Sequence, residues 1–448
     1  MKARSHIDGS VKSRANECPN LFLLWSAGSE QAEHMPNLGD WALQSGMNRL
    51  LRTLFPEARI ARDSFNSFQW ATASYFGRHA WLTQGGLEKS YARIEAMTAR
   101  RPGMQLALAD AAMTRAAGRL PFWPFLDPWA RRSAGQDFRQ IMLPRLLPAQ
   151  SAWRFRKNLA DADLVIANGS GLLADHLRRY APGRLLALYA AARSNVPVAL
   201  VNFSFALLNS EDLRALAREV LPRLACHITR ESASRDALIE LGVPPERITV
   251  SADAAFYDCP LAVSMRPGRR LGIQIRGDRP VDIGVWLELI KWLKARHNVE
   301  THYLEGCRLR DPPIRDALNK AGALDDGAET HDLDTLRQAI GACDLLLTDR
   351  YHGIVFAVQA GTPFLPVAST TLKTAGLLRD IDYPSLILPP LTQERLAAWK
   401  QAIDDAFACR DDLAAHLQGR ATALARQVET DYRQALTPLV RDDRRMLS

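Results

Sequence analysis

The hexapeptide TDRYHG, residues 348–353, separates two apolar segments of the chain. The segment before it, residues 344–347, is short and apolar, which predicts a buried strand of a parallel sheet. The segment after it, residues 354–358, predicts a helix. Ligands of open α/β sheets bind at the carboxyl ends of strands, beside helix N-termini. Arg350 and His352 lie at such a point and can hold an anion and move a proton. The sequence therefore predicts an enzyme with an anionic substrate.

The composition indicates a two-domain protein with anionic partners. The chain has 448 residues, of which 47% are hydrophobic, enough to bury two cores. Its formal net charge of +8 predicts partners such as phosphorylated small molecules or acidic lipid headgroups. Nucleic acid is not expected, because the sequence contains no zinc finger, helix-turn-helix spacing or RNP-like motif.

The cysteines and apolar runs predict a cytoplasmic location. Six scattered cysteines without a CxxC pair indicate neither a metal site nor a disulfide framework, so a reducing compartment fits. The apolar runs are much shorter than a bilayer span, so no transmembrane helix is expected. Residues 1–15 are polar and basic without an apolar core, which argues against a secretory signal.

Strand-like runs alternate with helical patterns along most of the chain, which predicts parallel α/β architecture. We predict a disordered basic leader at 1–16, an N-terminal α/β domain at 17–259 and a second α/β domain at 268–390. Residues 391–448 are predicted to form a tail of one or two amphipathic helices that packs back on the first domain. Residues 60–160 carry many aromatics and arginines. They are either irregular structure covering a core or an insertion that touches a membrane or a carbohydrate.

Two glycine-containing turns are candidate ligand contacts. Asn37, Gly39 and Asp40 lie between a predicted strand and a predicted helix. Gly39 would let a ligand approach the backbone, and the helix N-terminus would present N–H groups to an anion. Asp40 is equally compatible with a helix cap. The second turn, residues 168–171 (NGSG), follows a predicted strand and is compatible with either ligand approach or an ordinary tight turn.

Two further cationic residues are candidates for anion binding. Arg230 ends a predicted strand and opens a helix, where its guanidinium suits a carboxylate or phosphate, although a surface salt bridge is an alternative. Lys373 follows the predicted strand at 363–367 and is expected on the same face as His352. Asp253 lies just after another short predicted strand.

Taken in order, these blocks resemble the polysaccharide pyruvyl transferase family. The family pattern combines Asn-x-Gly-Asp, a Gly-rich turn after a strand, Arg-Asp/Glu-x-x-Ser, Asp-x-x-Phe, and Arg-x-His followed by Gly-x-Pro and a Lys. The resemblance covers roughly residues 20–375. The matching residues are Asn37, Gly39, Asp40, Gly169, Gly171, Arg230, Glu231, Ser234, Asp253, Phe256, Arg350, His352, Gly361, Pro363 and Lys373.

The resemblance implies a GT-B-like fold, in which two Rossmann-like, doubly wound parallel-sheet domains face each other across a cleft. The first domain, with its 60–160 insertion, would be the acceptor side and the second domain the donor side. The implied reaction transfers the pyruvyl group of phosphoenolpyruvate onto two sugar hydroxyls, giving a pyruvate ketal and phosphate. Phosphoenolpyruvate is the donor substrate, and neither a metal nor another cofactor is implied.

The resemblance also implies roles for residues. His352 is expected to protonate C3 of the donor, and Asp40 to act as a base or orienting group at the acceptor hydroxyl. Arg350 and Arg230 are expected to hold the donor's carboxylate and phosphate. Further substrate contacts are expected from Asn37, Gly39, Gly169, Ser170, Gly171, Arg276 and Lys373, the last two adding positive field at the donor phosphate.

Other functions remain open at this point. A GT-B glycosyltransferase that uses a nucleotide sugar would place Arg350 and Lys373 on a pyrophosphate. A catalytically inactive scaffold of an exopolysaccharide assembly is a second alternative, and a simple anion-binding protein a third. The acceptor sugar, the hydroxyls modified, the ketal stereochemistry and the oligomeric state are left undetermined.

If the acceptor is a lipid-linked oligosaccharide at the inner membrane, a basic, Trp-containing face would favour anionic headgroups. We therefore expect the protein to cosediment with vesicles of acidic lipid and not with neutral vesicles. Equal recovery from both vesicle types would contradict this peripheral membrane contact.

Overall fold

The structure is a computed structural model. It describes residues 18–25, 37–63, 86–99, 104–105, 148–171, 173, 181–205, 208, 210–258, 269–325, 332–368 and 373–442. The expected leader, most of the 60–160 region and the expected linker between the two domains lie outside these residues.

In these described ranges ten strands form two sheets, and all of their strand pairs are parallel. Apolar runs such as VALVNF are buried along their whole length, as expected for strands covered on both faces. The strands are β1 Asn20–Leu24, β2 Arg59–Asp63, β3 Leu164–Ser170, β4 Val198–Phe203, β5 Cys226–Thr229, β6 Ile248–Val250, β7 Arg270–Gln274, β8 Glu300–Tyr303, β9 Leu345–Thr348 and β10 Phe364–Pro366.

Helices connect the strands and cover both sheets. They are α1 Leu38–Leu54, α2 Gly86–Ala99, α3 Pro148–Ala160, α4 Ala181–Ala192, α5 Glu211–Val220, α6 Ser232–Glu240, α7 Ile283–His297, α8 Pro312–Lys320, α9 Leu333–Gly341, α10 Tyr351–Ala360, α11 Lys373–Asp380, α12 Leu396–Ala408, α13 Arg410–Leu417 and α14 Arg420–Asp442. None of the helices in these described ranges is long and apolar enough to cross a membrane.

Each sheet has a point at which the strand order reverses. The first sheet has the order β2-β1-β3-β4-β5-β6, and the second has the order β10-β9-β7-β8. The reversal lies between β1 and β3 in the first sheet and between β7 and β9 in the second. Crevices at such points, outside the carboxyl ends of the strands, are where doubly wound sheets bind ligands.

The strand β2 was missed by the sequence interpretation. Its residues, RIARD, show neither a continuous apolar run nor strong β-propensity. The strand lies at the edge of the sheet, pairs only with β1, and is partly exposed. An edge strand of this kind forms because a neighbouring strand offers it hydrogen bonds.

The C-terminal segment contains three helices, so the expectation of one or two was wrong. Short turns at Cys409 and Gly419 separate the three helices, and Gly419 adopts a left-handed conformation (φ 75°). The last helix, α14, packs against α1, β5 and the turn Ala254–Tyr257 of the first sheet's domain, and against α10 of the second. Tyr257 Oη donates a hydrogen bond to Glu429 Oε2 at 2.9 Å.

Polar contacts at Asp258 join the two sheets' domains beside this turn. Ser45 Oγ of α1 donates to Asp258 Oδ1 at 3.0 Å, and Arg337 Nη2 of α9 donates to Asp258 Oδ2 at 2.9 Å. Gln359 Nε2 of α10 donates to Ala255 O at 3.0 Å. Helices of both domains are thereby held against one short segment.

The closest helix contact in this region is made possible by Gly46 of α1. A methyl group at this position would lie 2.0 Å from Ala254 O. We expect Gly46→Ala to lower the free energy of unfolding by about 1–3 kcal/mol, because the backbone segment must move away from the helix. The midpoint of urea unfolding measures this loss.

Gly284→Ala in α7 is the matched control. Gly284 is exposed, and the added methyl would lie 3.3 Å from Asp282 Oδ1, which caps the helix by accepting a hydrogen bond from Val285 N at 3.2 Å. Alanine favours a helix over glycine by about 0.5–1 kcal/mol, so this variant should be neutral or more stable. Equal unfolding midpoints for the two variants would contradict the packing argument.

Candidate active site

The carboxyl ends of four neighbouring strands deliver polar groups to one crevice. Ser204 follows β4, Arg230 follows β5 and Asp253 follows β6, while Gly171 follows β3. His352 enters from the N-terminus of α10, after β9 of the other sheet. We call the following set the cleft cluster: Asp40, Gly171, Ser204, Arg230, Glu231, Asp253, His352 and Lys373.

His352 packs directly against the N-terminus of α1. A methyl group at Gly39 would lie 2.2 Å from His352 Nδ1, so glycine is required for this approach. Asn37 caps the helix by accepting a hydrogen bond from Gly39 N at 3.1 Å and donates to Asp40 Oδ2 at 3.0 Å. The predicted residues Asn37, Gly39 and Asp40 are therefore brought together with His352, although they are far from it in the sequence.

Arg230 and Asp253 form a buried ion pair. Arg230 Nη1 donates to Asp253 Oδ2 at 2.5 Å, and the side chains are only 1% and 0% exposed. Burial opposes charge on both groups, but the neighbouring opposite charge dominates. It holds the pKa of Asp253 well below its usual range and raises the pKa of Arg230. Both groups stay ionised.

The rest of the Arg230 guanidinium is largely enclosed. Nε donates to Ser204 Oγ at 2.8 Å, and the guanidinium carbon lies 5.2 Å from the centre of the Tyr351 ring. Ser204 in turn donates to Glu231 Oε2 at 2.8 Å, and Ser234 Oγ donates to the other oxygen of Glu231. Within the described residues Arg230 Nη2 has no hydrogen-bond partner. One buried donor of this arginine is therefore left unsatisfied by the described residues.

Asp253 also faces His352. Its Oδ2 lies 3.7 Å from His352 Nε2, beyond hydrogen-bond length but close enough for a charged imidazolium to be attracted. Its Oδ1 accepts a hydrogen bond from Ala255 N at 2.8 Å, which fixes the carboxylate. Like Arg230 Nη2, His352 Nε2 has no hydrogen-bond partner in the described part of the chain.

Lys373 reaches the same crevice from the first residue of α11. A methyl group at Gly171 would lie 2.5 Å from Lys373 Nζ, so the glycine leaves room for the amine. Burial, and then the nearby positive charge of Arg230, lower the pKa of Lys373 to about 7. The carboxylates of Glu231, Asp253 and Asp40 act in the opposite direction without cancelling the burial.

Arg350 lies beside the cluster, but its side chain turns toward Asp311. Its Nη2 donates to Asp311 Oδ1, and its Nε is buried without a partner among the described residues. Asp311 also accepts from Gly306 N at 2.9 Å, and Gly306 O accepts from Leu38 N of α1 at 3.0 Å. Arg350 therefore lies where the second domain meets the N-terminus of α1.

Arg276 follows β7 and is already paired. Its Nε and Nη2 donate to the two oxygens of Asp278 at 2.8 and 2.6 Å, and Arg310 Nη1 reaches Asp278 Oδ2 at 2.6 Å. Its expected role at the donor phosphate stays a prediction. Asp349 accepts from Arg276 N at 3.0 Å, and burial raises the pKa of Asp349 to about 6.

The NGSG segment is predicted as a turn after the strand, but residues 168–170 belong to β3, so this prediction was wrong. The strand runs on because these residues pair with and pack against β4. Gly169 packs against the side chains of Phe203 and Leu200, which would meet any Cβ at that position. Ser170 accepts a hydrogen bond from Ser204 N at 2.9 Å through its carbonyl oxygen. Packing thus accounts for Gly169, and contact of either residue with substrate stays a prediction.

Ser204 is a site residue that the sequence interpretation missed. It belongs to no motif, because its hydrogen bonds to Arg230 and Glu231 are made across neighbouring strands. Its position directly after a fully buried strand was the signal that could have identified it.

The fold and this cluster define a two-domain α/β protein with a crevice between its sheets that is lined by charged and hydrogen-bonding side chains. The family model of polysaccharide pyruvyl transferases matches residues 37–371, about three quarters of the chain. The chain belongs to the polysaccharide pyruvyl transferase family, as the motifs predicted. No curated protein matches it.

Solved structures with the same architecture support the expected fold class. MnaA from S. aureus in a co-structure with UDP has a TM-score of 0.50 and 14% identity, with 94% of this chain and 98% of that chain covered. Anabaena Alr3699/HepE in complex with UDP has a TM-score of 0.50 and 14% identity, with 94% and 100% covered. The GT-B-like prediction is confirmed.

The buried Arg230–Asp253 pair is expected to contribute to the stability of the fold, and a substitution can test this. We expect Asp253→Asn to lower the free energy of unfolding by about 3–5 kcal/mol at pH 7, because Arg230 would remain buried without its counter-charge. Chemical denaturation measures the loss. Since the folded-state pKa of Asp253 is depressed, the pair's contribution is complete above about pH 4 and is lost as the pH falls toward the folded-state value.

Glu211→Gln is the matched control for this variant. Glu211 pairs with Arg218 at 2.5 Å on the exposed face of α5, with side chains 74% and 43% exposed. Solvent screening leaves such a pair with little net effect. A stability loss from Asp253→Asn no larger than that from Glu211→Gln would contradict the interpretation.

Proposed function

We propose that the protein transfers the pyruvyl group of phosphoenolpyruvate to two hydroxyls of a sugar, as part of an exopolysaccharide or its lipid-linked precursor, and forms a pyruvate ketal. The observation that carries the proposal is that Arg230 and His352, each with an unpartnered nitrogen, face the same Asp253 oxygen, and that their charges lie near Lys373 in the cleft cluster. A buried donor, a proton carrier and an amine in one crevice suit a small, polyanionic substrate whose reaction moves protons.

The donor's carboxylate and phosphate are proposed to bind cationic side chains of the crevice. Arg230 Nη2 and Lys373 Nζ lie in the cleft cluster, and Arg350 Nε is buried nearby without a described partner. Because most of the Arg230 guanidinium is occupied by Asp253 and Ser204, it can contribute one hydrogen bond but not a bidentate clamp. This limits the role that the sequence interpretation gave to Arg230.

His352 is the group proposed to protonate C3. A protonated imidazole is the acid required, and the Asp253 carboxylate lies 3.7 Å from its Nε2. The N-terminus of α1, with Asn37, Gly39 and Asp40, faces the same imidazole and is proposed to receive the acceptor, with Asp40 as base or orienting group. Acceptor contacts from the 60–160 region fall mostly outside the described residues.

A nucleotide-sugar glycosyltransferase is the alternative function. Two structures of the same fold hold UDP, but at 14% identity this likeness concerns the fold alone. A cytoplasmic location and peripheral contact with the inner membrane both stay predictions.

The deciding experiment measures phosphate release from phosphoenolpyruvate by the purified protein. Extracted lipid-linked oligosaccharides and simple galactosides and mannosides serve as acceptors. We expect release that depends on the acceptor, and a loss of about 10²–10⁴-fold in kcat for His352→Ala, the range for removal of an acid–base group. Arg218→Ala on the exposed face of α5 is the control and should retain full activity.

Binding measurements separate the two functions. Calorimetry with phosphoenolpyruvate should give a binding isotherm that weakens in Arg350→Ala, because an anion loses one buried donor. If UDP or GDP binds while phosphoenolpyruvate neither binds nor turns over, the pyruvyl transfer proposal is abandoned for the glycosyltransferase.

A further inference from the structure

Pyruvyl transfer, as proposed above, moves protons at two places in the same step. While a sugar hydroxyl adds to C2 of phosphoenolpyruvate, that hydroxyl loses a proton and C3 gains one. C2 and C3 are neighbouring carbons, but the proton acceptor must lie at the hydroxyl and the proton donor at the methylene carbon. A single imidazole cannot hold both positions at once, so the reaction calls for a second proton-transfer group.

We propose that Lys373 is this second group, acting as base toward the attacking hydroxyl and then as acid toward the departing phosphate. The inference rests on the proposed function and adds a catalytic residue to it. It replaces the fixed positive field that the sequence interpretation gave to Lys373 and leaves Asp40 to orient the acceptor.

The position of Lys373 is set by packing on two sides. Its amine lies against Gly171 at the end of β3, where a methyl group would come within 2.5 Å of Nζ. Its helix, α11, packs on the buried Glu231 through Gly376, where a methyl group would lie 2.6 Å from Glu231 Cβ. The amine is therefore directed into the cleft cluster that also holds His352.

Lys373 differs from the site's arginines in its partners. Arg230, Arg350 and Arg276 each form an ion pair with an aspartate. Within the residues that the structure describes, Lys373 forms no ion pair with a carboxylate. An amine without a tight counter-charge can lose its proton at low cost, whereas guanidinium groups keep theirs.

The surrounding charges bring the amine into a useful range. Burial and Arg230 lower the pKa of Lys373 to about 7, against the raising effect of Glu231, Asp253 and Asp40. An ordinary lysine, with a pKa of about 10.4, is almost wholly protonated at neutral pH and cannot accept a proton. A group whose pKa lies near the working pH serves as both base and acid.

The proton balance closes with these two side chains. Neutral Lys373 takes the proton of the first hydroxyl as its oxygen bonds to C2, and the C2–C3 π electrons take a proton from the His352 imidazolium. The C2–O bond to phosphate then breaks with its electron pair on oxygen, and the Lys373 ammonium protonates the phosphate. The second hydroxyl bonds to C2 and gives its proton to His352. Both side chains return to their starting forms, and no oxidant or reductant is needed.

Lys373→Arg separates charge from proton transfer. Arginine supplies a permanent positive charge, as the protonated lysine does, but it cannot take up a proton. We expect KM for phosphoenolpyruvate to change by less than about threefold while kcat falls by about 10²–10⁴-fold, the range for lost acid–base catalysis. Retention of kcat in Lys373→Arg would overturn the proposal.

A chemical rescue tests whether the loss of kcat in Lys373→Arg comes only from the size of the arginine side chain. In Lys373→Cys, alkylation with 2-bromoethylamine restores an amine whose pKa is lowered by the sulfur, and wild-type protein treated identically is the control. We expect kcat to recover at least tenfold over the unalkylated variant.

The pH profile of the rescued enzyme gives the sign of the effect. Saturating kcat reports groups in the enzyme–substrate complex. Because the neutral amine is the active base, kcat of the wild type should rise with pH through the lysine's pKa, and this limb should move to lower pH in the rescued enzyme. If this limb of the kcat profile instead falls with rising pH, and also moves to lower pH in the rescued enzyme, the protonated amine is the active form. Lys373 then acts as a fixed cation, and the proposal is overturned.

The two proposals fail in different ways. Absence of phosphate release by the wild type under all acceptors removes the proposed function and this inference with it. Release by the wild type together with full kcat in Lys373→Arg removes only the role of Lys373.

Discussion

The buried ion pair between Arg230 and Asp253 is the interaction on which the site depends. It joins the ends of β5 and β6 at 2.5 Å in a region with almost no solvent exposure. Because each charge is costly to bury alone, the pair restricts both side chains to one arrangement. That arrangement places the Asp253 carboxylate 3.7 Å from His352 and leaves Arg230 Nη2 unpartnered among the described residues. The ion pair thereby fixes the carboxylate that faces His352.

The same segment also holds the two domains together. Directly after Asp253, the turn Ala254–Tyr257 packs against α1 and α14, and Asp258 receives hydrogen bonds from Ser45 and Arg337. His352 reaches the first domain only because α1 lies at this distance, with Gly39 against its ring. His352 and Asp253 therefore come together only through the relative position of the two sheets, since neither domain alone carries both residues.

Burial shifts the pKa values of groups in the cleft cluster and in the neighbouring part of the second domain in different directions. It lowers the pKa of Lys373 to about 7 and raises that of Asp349 to about 6, because each charged form loses hydration. Asp253 moves the opposite way because a cation touches it. Two groups with pKa values near neutrality thus lie beside permanently charged pairs. A proton-transferring reaction at neutral pH is compatible with that combination.

Local sequence determined most of the fold: the apolar runs and helical spacing located nine of the ten strands, because buried parallel strands and amphipathic helices have strong periodic signals. The motifs located Asp40, Arg230, His352 and Lys373, since they lie where strands end. Only the tertiary structure revealed the edge strand β2, Ser204 and the pairing of Asp253 with both Arg230 and His352. These depend on strand order and on the distance between sheets, which arise from contacts between residues far apart in the chain. Burial, which sets the pKa of Lys373, is likewise a property of the assembled fold.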